Sequence, residues 1–170
     1  LMDRLDQLGL ADNTILIFMT DNGSSGGLHQ GRGYNAGMRG TKGSYYDGGH
    51  RVPFFIRWPA GGLAAGRDVD EMVLHVDLLP TFIDLCSLPA PDGEVFDGMS
   101  VAPLLRGEPR EMPDRIHFVQ YRQSTLPPEK WTCAVITRRW RLIGGEELYE
   151  IKADPGQQHD VALKHPDVVS

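Results

Sequence analysis

The run Thr14-Ile15-Leu16-Ile17-Phe18-Met19-Thr20 constrains this chain more than any other feature, because it is apolar without alternation and stops abruptly on Asp21-Asn22-Gly23. A period-two pattern would mark a strand wetted on one face. An unbroken run rich in β-branched residues instead predicts a strand buried on both faces, as in a parallel sheet covered by helices. In open α/β sheets ligands gather beyond the carboxyl ends of such strands, and Asp21 and Asn22 stand at that end. Ten glycines then fall between Gly23 and Gly49, too many for regular helix or strand. A loop this long inside a compact domain is either functional or disordered. Its Tyr34, Tyr45, Tyr46, His29, Arg32 and Arg39 favour a functional loop ordered over a pocket. Val52 to Trp58 predicts a second buried strand, closed by Pro59 and Gly61-Gly62.

The flanking chain supplies helices on one side and hairpins on the other. Leu1, Met2, Leu5 and Leu8 share a helical face and Gly9 supplies a stop, but no N-cap precedes them, so the helix is expected to start upstream. Glu71 to His75 predicts a short extended piece. Asp77 is placed to cap a helix over Leu78 to Leu85, whose Pro80 falls harmlessly in the first turn. Ser100 to Leu105 predicts a helical turn. Arg115 to Tyr121, Trp131 to Thr137, Trp140 to Ile143 and Glu147 to Ile151 predict successive antiparallel strands, with Gly144-Gly145 in a turn. His165-Pro166-Asp167 predicts a helix start cut short at Ser170, so both ends are expected to be truncations.

The expected fold class is therefore α/β, with buried, mostly parallel strands and a small antiparallel C-terminal sheet carrying a helix. We place an α/β portion at residues 1–105 and the antiparallel-sheet subdomain at 106–170.

A chain of 170 residues with 41% hydrophobic and 24% charged content falls in the globular class and can bury a core. Its net charge of -6 and lack of lysine runs argue against a nucleic-acid partner. No stretch reaches the roughly 20 apolar residues of a membrane span. Cys86 and Cys133 sit in no metal-ligand spacing, which disfavours structural zinc and predicts core thiols. A sheet cut beside Thr14 to Thr20 would expose an apolar edge, an expected site of self-association.

Four separated stretches resemble the sulfatase family of the alkaline-phosphatase-like superfamily. They are L-x-x-L-G-L-A-D-N-T-I-L-I-F-x-x-D-N-G at 5–23, G-x-K-G-x-Y-Y-D-G-G-H-R-V-P at 40–53, V-D-L-L-P-T-F-I-D-L at 76–85, and E-L-Y-E-I-x-x-D-P-G near the end. The resemblance covers nearly the whole chain in the family's order. It implies the C-terminal part of a sulfatase fold and hydrolysis of sulfate monoesters, either small molecules or sulfated glycans. It also implies a periplasmic, extracellular or lysosomal setting.

Asp21 and Asn22 offer a carboxylate and an amide carbonyl, hard oxygen donors suited to Ca²⁺ or Mg²⁺. By resemblance both are ligands of one divalent cation, normally calcium. D-N-G alone would read as a turn; the strand before it and Lys42 after it favour the metal. Asn22-Gly23-Ser24 also matches a glycosylation sequon, but a ligand at a pocket floor would be inaccessible to that modification.

Lys42, between Thr41 and Gly43, is by resemblance a catalytic and substrate-binding residue that meets the sulfate and stabilises charge on its oxygens. His29 is a candidate substrate contact, against a solvent-exposed reading. His50 is expected to pack or face water and His75 to be structural. Arg51 is expected to form an ion pair with Asp47 or with a carboxylate outside the chain.

The resemblance also exposes an absence. Sulfatases use a formylglycine made from Cys or Ser in a C/S-x-P/A-x-R motif, and no Cys or Ser of this chain begins one; Ser87-Leu88-Pro89-Ala90-Pro91 fails at its last residue. The family's paired aspartates and upstream histidines are not visible either. Formylglycine is expected in an upstream part, and the chain alone is expected to be inactive. Two alternatives stand beside this reading: a non-catalytic module or partner of a separate N-terminal piece, and a phosphate or phosphonate ester hydrolase of the same superfamily.

Overall fold

The computed structural model describes residues 1–25, 31–91, 93–121 and 129–170. In chain order the helices and strands are α1 (Met2–Gln7), β1 (Leu16–Met19), α2 (Asp47–His50), β2 (Phe54–Arg57), α3 (Leu78–Leu85), α4 (Ala102–Arg106), β3 (His117–Val119), β4 (Ala134–Ile136), β5 (Trp140–Ile143), β6 (Glu147–Glu150) and α5 (Pro166–Val169). They fall into two compact units, one of Leu1–Phe18 with Phe55–Pro113 and one of Met19–Phe54 with Asp114–Ser170.

In the first unit β1 and β2 pair as a two-stranded sheet. Within residues 1–170 one face of this pair is open, with Phe18 and Phe55 63% and 65% exposed and their rings 6.2 Å apart. Two short strands bury little of either face by themselves. The loop before β1 is tied to β2, since the Arg57 guanidinium donates to the Ala11 carbonyl at 2.8 Å.

Below the sheet in sequence, α3 and α4 meet around buried Asp77. The expected helix cap is also corrected. The Asp77 side chain makes no cap bond to α3, although its carbonyl accepts from Thr81 Oγ1 at 2.6 Å; its Oδ2 accepts from the Leu74 amide at 2.8 Å while Oδ1 accepts from the Met99 amide at 2.9 Å. Its carboxylate thus joins a 3₁₀ turn, His75–Asp77, to the segment entering α4, which satisfies buried donors that a simple cap would leave unbonded. No strand forms over Glu71 to His75. Val101, Leu104 and Met112 form the local core, flanked by Val69, Met99 and Leu105.

The second unit is built on an antiparallel sheet in the order β3-β4-β5-β6. Ile143 pairs with Glu147, and the turn between them places Gly144 and Gly145 at φ +62° and +77°. A hairpin turn of that handedness needs two positive φ values in succession, which glycine adopts at little cost. Ala134, Ile136, Leu142, Ile143, Leu148 and Tyr149 are buried. Both cysteines are free: Cys133 is a core thiol as expected, whereas Cys86 is exposed, correcting its expected burial, because it ends α3 at the surface.

Candidate functional site

The site begins where β1 ends and is assembled by backbone packing within the glycine-rich segment. Gly23 donates its amide to the Gly49 carbonyl at 3.0 Å. A Cβ on Gly23 would lie 1.9 Å from the Gly48 carbonyl oxygen, and one on Gly48 would lie 2.3 Å from the Gly40 oxygen. Three strands of backbone therefore cross at a separation that admits no side chain. In this segment, expected to be wholly irregular, Asp47-Gly48-Gly49-His50 makes one helical turn, closed by the Arg51 amide on the Asp47 carbonyl at 2.7 Å.

Lys42 is brought to the end of β1 by this crossing, its amide donating to the Ser24 carbonyl at 2.8 Å. The next residue, Gly43, has φ +87° and lies against the Tyr121 ring. Asp21, Asn22 and Lys42 line one cavity of about 400 Å³, together with Thr20, Ser24 and Arg51. Asp21 and Lys42 are exposed and Asn22 is half-buried. His29 lies outside the described residues.

The wall behind the cavity is a buried polar cluster centred on Asp47. Asp47 is fully buried, and its Oδ1 accepts from Arg141 Nε at 2.9 Å. Arg141 is itself only 8% exposed and also donates to the carbonyls of Thr137 and Trp140. Arg51, the expected partner, lies 3.6 Å from Asp47 Oδ2 with half its side chain exposed. That pair is thus present, but Arg141 holds the closer and drier contact. The Asp47 amide donates to Gln157 Oε1 at 2.7 Å.

His50 packs rather than faces water, with Nε2 3.2 Å from the Tyr45 carbonyl. Burial pushes its pKa below the usual histidine value, against an opposing pull from Asp47, so the ring is neutral at pH 7. Nearby, Arg39 lies over the Tyr46 ring at 3.9 Å, and Tyr46 donates to Glu147 Oε2 at 2.9 Å. Burial, then the hydrogen bond to Glu147, pushes the Tyr46 and Tyr149 hydroxyls up, which keeps both protonated as donors.

Sequence reading missed Arg51 as a cavity residue and missed Arg141 and Gln157 entirely. The proximity of Arg51 to Lys42 was visible in G-x-K-G-x-Y-Y-D-G-G-H-R. No local signal links Asp47 to residues 94 and 110 positions away.

Comparison with known proteins agrees with this architecture. Residues 1–88 match the sulfatase family model. The chain is 31% identical over 148 residues to the steryl-sulfatase of Homo sapiens, covering 83% of this chain and 25% of the relative. A solved structure from work on the metabolism of multiple glycosaminoglycans by Bacteroides thetaiotaomicron superposes with TM-score 0.77 at 27% identity, covering 99% of this chain and 39% of that one. The phosphonate monoester hydrolase of Agrobacterium radiobacter superposes with TM-score 0.70 at 25% identity, over 98% of this chain and 35% of its own. The chain thus spans well under half the length of these proteins, and its fold is part of the alkaline-phosphatase-like fold that they share.

Proposed function

The chain belongs to the sulfatase family, and from that premise we propose that it supplies part of the active site of a sulfuric ester hydrolase. Asp21 and Asn22 are its oxygen ligands to one divalent cation, and Lys42 meets the sulfate group. The observation that carries this reading is the convergence of all three residues on one cavity beyond the end of β1.

The donor chemistry fits a hard cation. A carboxylate and an amide, with the Thr20 and Ser24 hydroxyls on the same cavity, suit Ca²⁺ or Mg²⁺ and offer nothing to a soft metal. The set is partial. Among the described residues no three His, Cys, Asp or Glu side chains gather as a metal site, whereas calcium takes about 6 to 8 oxygens. When bound, the cation would neutralise charge on the oxygens of the transferring group.

The chain's own contribution is positional and electrostatic. Lys42 reaches the cavity from a backbone fixed to Ser24, so its ammonium can stabilise charge that builds on the sulfate or on the leaving oxygen with little reorganisation. The sequence has no C/S-x-P/A-x-R motif, so the nucleophile comes from outside residues 1–170. The chain by itself binds a cation weakly and turns over no ester. The substrate is a sulfate ester; the named relatives point both to sterol and to glycan esters.

A second reading, phosphonate ester hydrolysis, is favoured by the resemblance to the phosphonate monoester hydrolase. Both are tested in the whole enzyme with matched chromogenic aryl sulfate and aryl phosphonate esters. Lys42→Ala should lower turnover of the preferred ester about 100- to 1,000-fold, in line with loss of one preorganised charge donor. An unchanged rate would remove Lys42 from the site. Preference for the phosphonate would replace the first reading by the second.

A further inference from the structure

Gln157 is fully buried, adopts φ +51°, and lies in the turn after β6. It contacts the glycine-rich loop at two places. Its side-chain Oε1 accepts from the Asp47 amide at 2.7 Å, and its main-chain oxygen accepts from the Arg39 guanidinium at 3.3 Å. Residues 39 and 47 bracket Lys42. They are also closed on each other, since the Gly48 amide donates to the Arg39 carbonyl at 2.8 Å.

We infer that Gln157 is a positioning residue for the anion-binding loop: one side chain and one carbonyl from the C-terminal turn pin both ends of the segment that presents Lys42. This rests on the reading of Lys42 as an anion-binding residue. A left-handed φ at a non-glycine residue is costly and persists where surrounding contacts over-determine it. Here the buried carbonyl and the buried amide oxygen both face loop donors. The two ends of the Gln157 amide are unequal. Oε1 is bonded, whereas Nε2 has no partner among the described residues. The function therefore resides in the acceptor, and the carbonyl oxygen of a glutamic acid, held neutral by burial at this site, can replace it.

The test uses residues 1–170 with Gln157→Met, which removes the acceptor at similar volume, and Gln157→Glu, which keeps it. Amide hydrogen exchange is read at Lys42 and Gly48, whose amides donate within the loop, and at Arg141 and Leu142 in the central strand β5. In Gln157→Met the loop amides should exchange about tenfold faster while β5 is unchanged, and Gln157→Glu should restore wild-type loop rates. Equal acceleration in loop and sheet would show a merely structural residue and overturn the inference, as would unchanged loop rates. If Gln157→Met unfolds the chain, the Glu variant decides alone: wild-type loop protection supports the acceptor role, and lost protection refutes it. A parallel titration with inorganic sulfate separates the two readings. Loss of sulfate-induced shifts in Lys42→Ala, with loop exchange unchanged, supports the anion site independently of the staple. No sulfate response in the wild-type chain would remove the anion site and leave the exchange result standing by itself.

Discussion

At the scale of single residues, the cavity residues and the buried cluster behind them carry different burdens. Asp21 and Lys42 are exposed, so replacing either should leave folding almost untouched and alter binding. Arg141 and Asp47 are the reverse. Theirs is a buried ion pair at 2.9 Å, and removing Arg141 leaves the buried Asp47 carboxylate only the longer contact from half-exposed Arg51 at 3.6 Å. Arg141→Met should cost about 3 to 5 kcal/mol, read as a lowered urea midpoint. A loss under half a kcal/mol would mean that the Asp47 carboxylate is relaxed by water.

His50 belongs to the same scale and gives a pH dependence. Burial lowers its folded pKa below the unfolded value of 6.5, so the unfolded chain binds the proton first as pH falls. The contribution of neutral His50 is complete above pH 6.5 and declines below it as protonation favours unfolding. Asp47 and Arg141 act on the ring with opposite signs, and the burial effect exceeds both. The urea midpoint of the wild-type chain should therefore fall between pH 7 and pH 5 by more than that of His50→Asn. Parallel curves would show that the ring takes up its proton without penalty.

At the scale of elements, the glycine crossing is what turns a loop into a site. Gly23→Ala would place a methyl 1.9 Å from a backbone oxygen, and backbone cannot rotate aside as a side chain can. The expected penalty is about 1 to 3 kcal/mol or more, with the Lys42 amide losing exchange protection first. Wild-type protection at Lys42 in that variant would show that the crossing is dispensable.

Much of this was legible in sequence, and the reasons are specific. α3 and β5 were read at the bounds observed because local pattern fixes them: apolar Leu78, Phe82 and Leu85 at helical spacing, of which Leu85 is buried and the other two half-buried, and the Gly144-Gly145 turn that ends β5. Asp21, Asn22 and Lys42 were picked out by motif and do line one cavity. The role of Gly48 and Gly49 was read only as irregularity, since a close backbone approach leaves no periodicity. Asp77 was read as a cap of α3, whereas its carboxylate bonds the Leu74 amide three residues before it and the Met99 amide 22 residues after it, and no local pattern marks the second contact. Gln157 and Arg141 were missed for the same reason: their contacts are set by the tertiary fold.

At the scale of the whole molecule, no described helix is long and apolar enough to cross a membrane. The exposed Phe18 and Phe55 rings form an apolar pair on a two-stranded sheet, a surface expected to associate at high concentration. Light scattering of residues 1–170 should show concentration-dependent association that Phe18→Ser with Phe55→Ser reduces. A strict monomer for the wild-type chain would remove that expectation.

The central claim is that these residues carry a cation and sulfate half-site without the nucleophile. It is tested most directly by titrating residues 1–170 with CaCl₂ and inorganic sulfate while backbone amide resonances are followed. Shifts concentrated at Asp21 to Ser24 on calcium and at Thr41 to Gly43 on sulfate, the latter lost in Lys42→Ala, with no hydrolysis of an aryl sulfate, are the predicted result. Shifts that bypass Asp21, Asn22 and Lys42, or turnover by residues 1–170 alone, would contradict it.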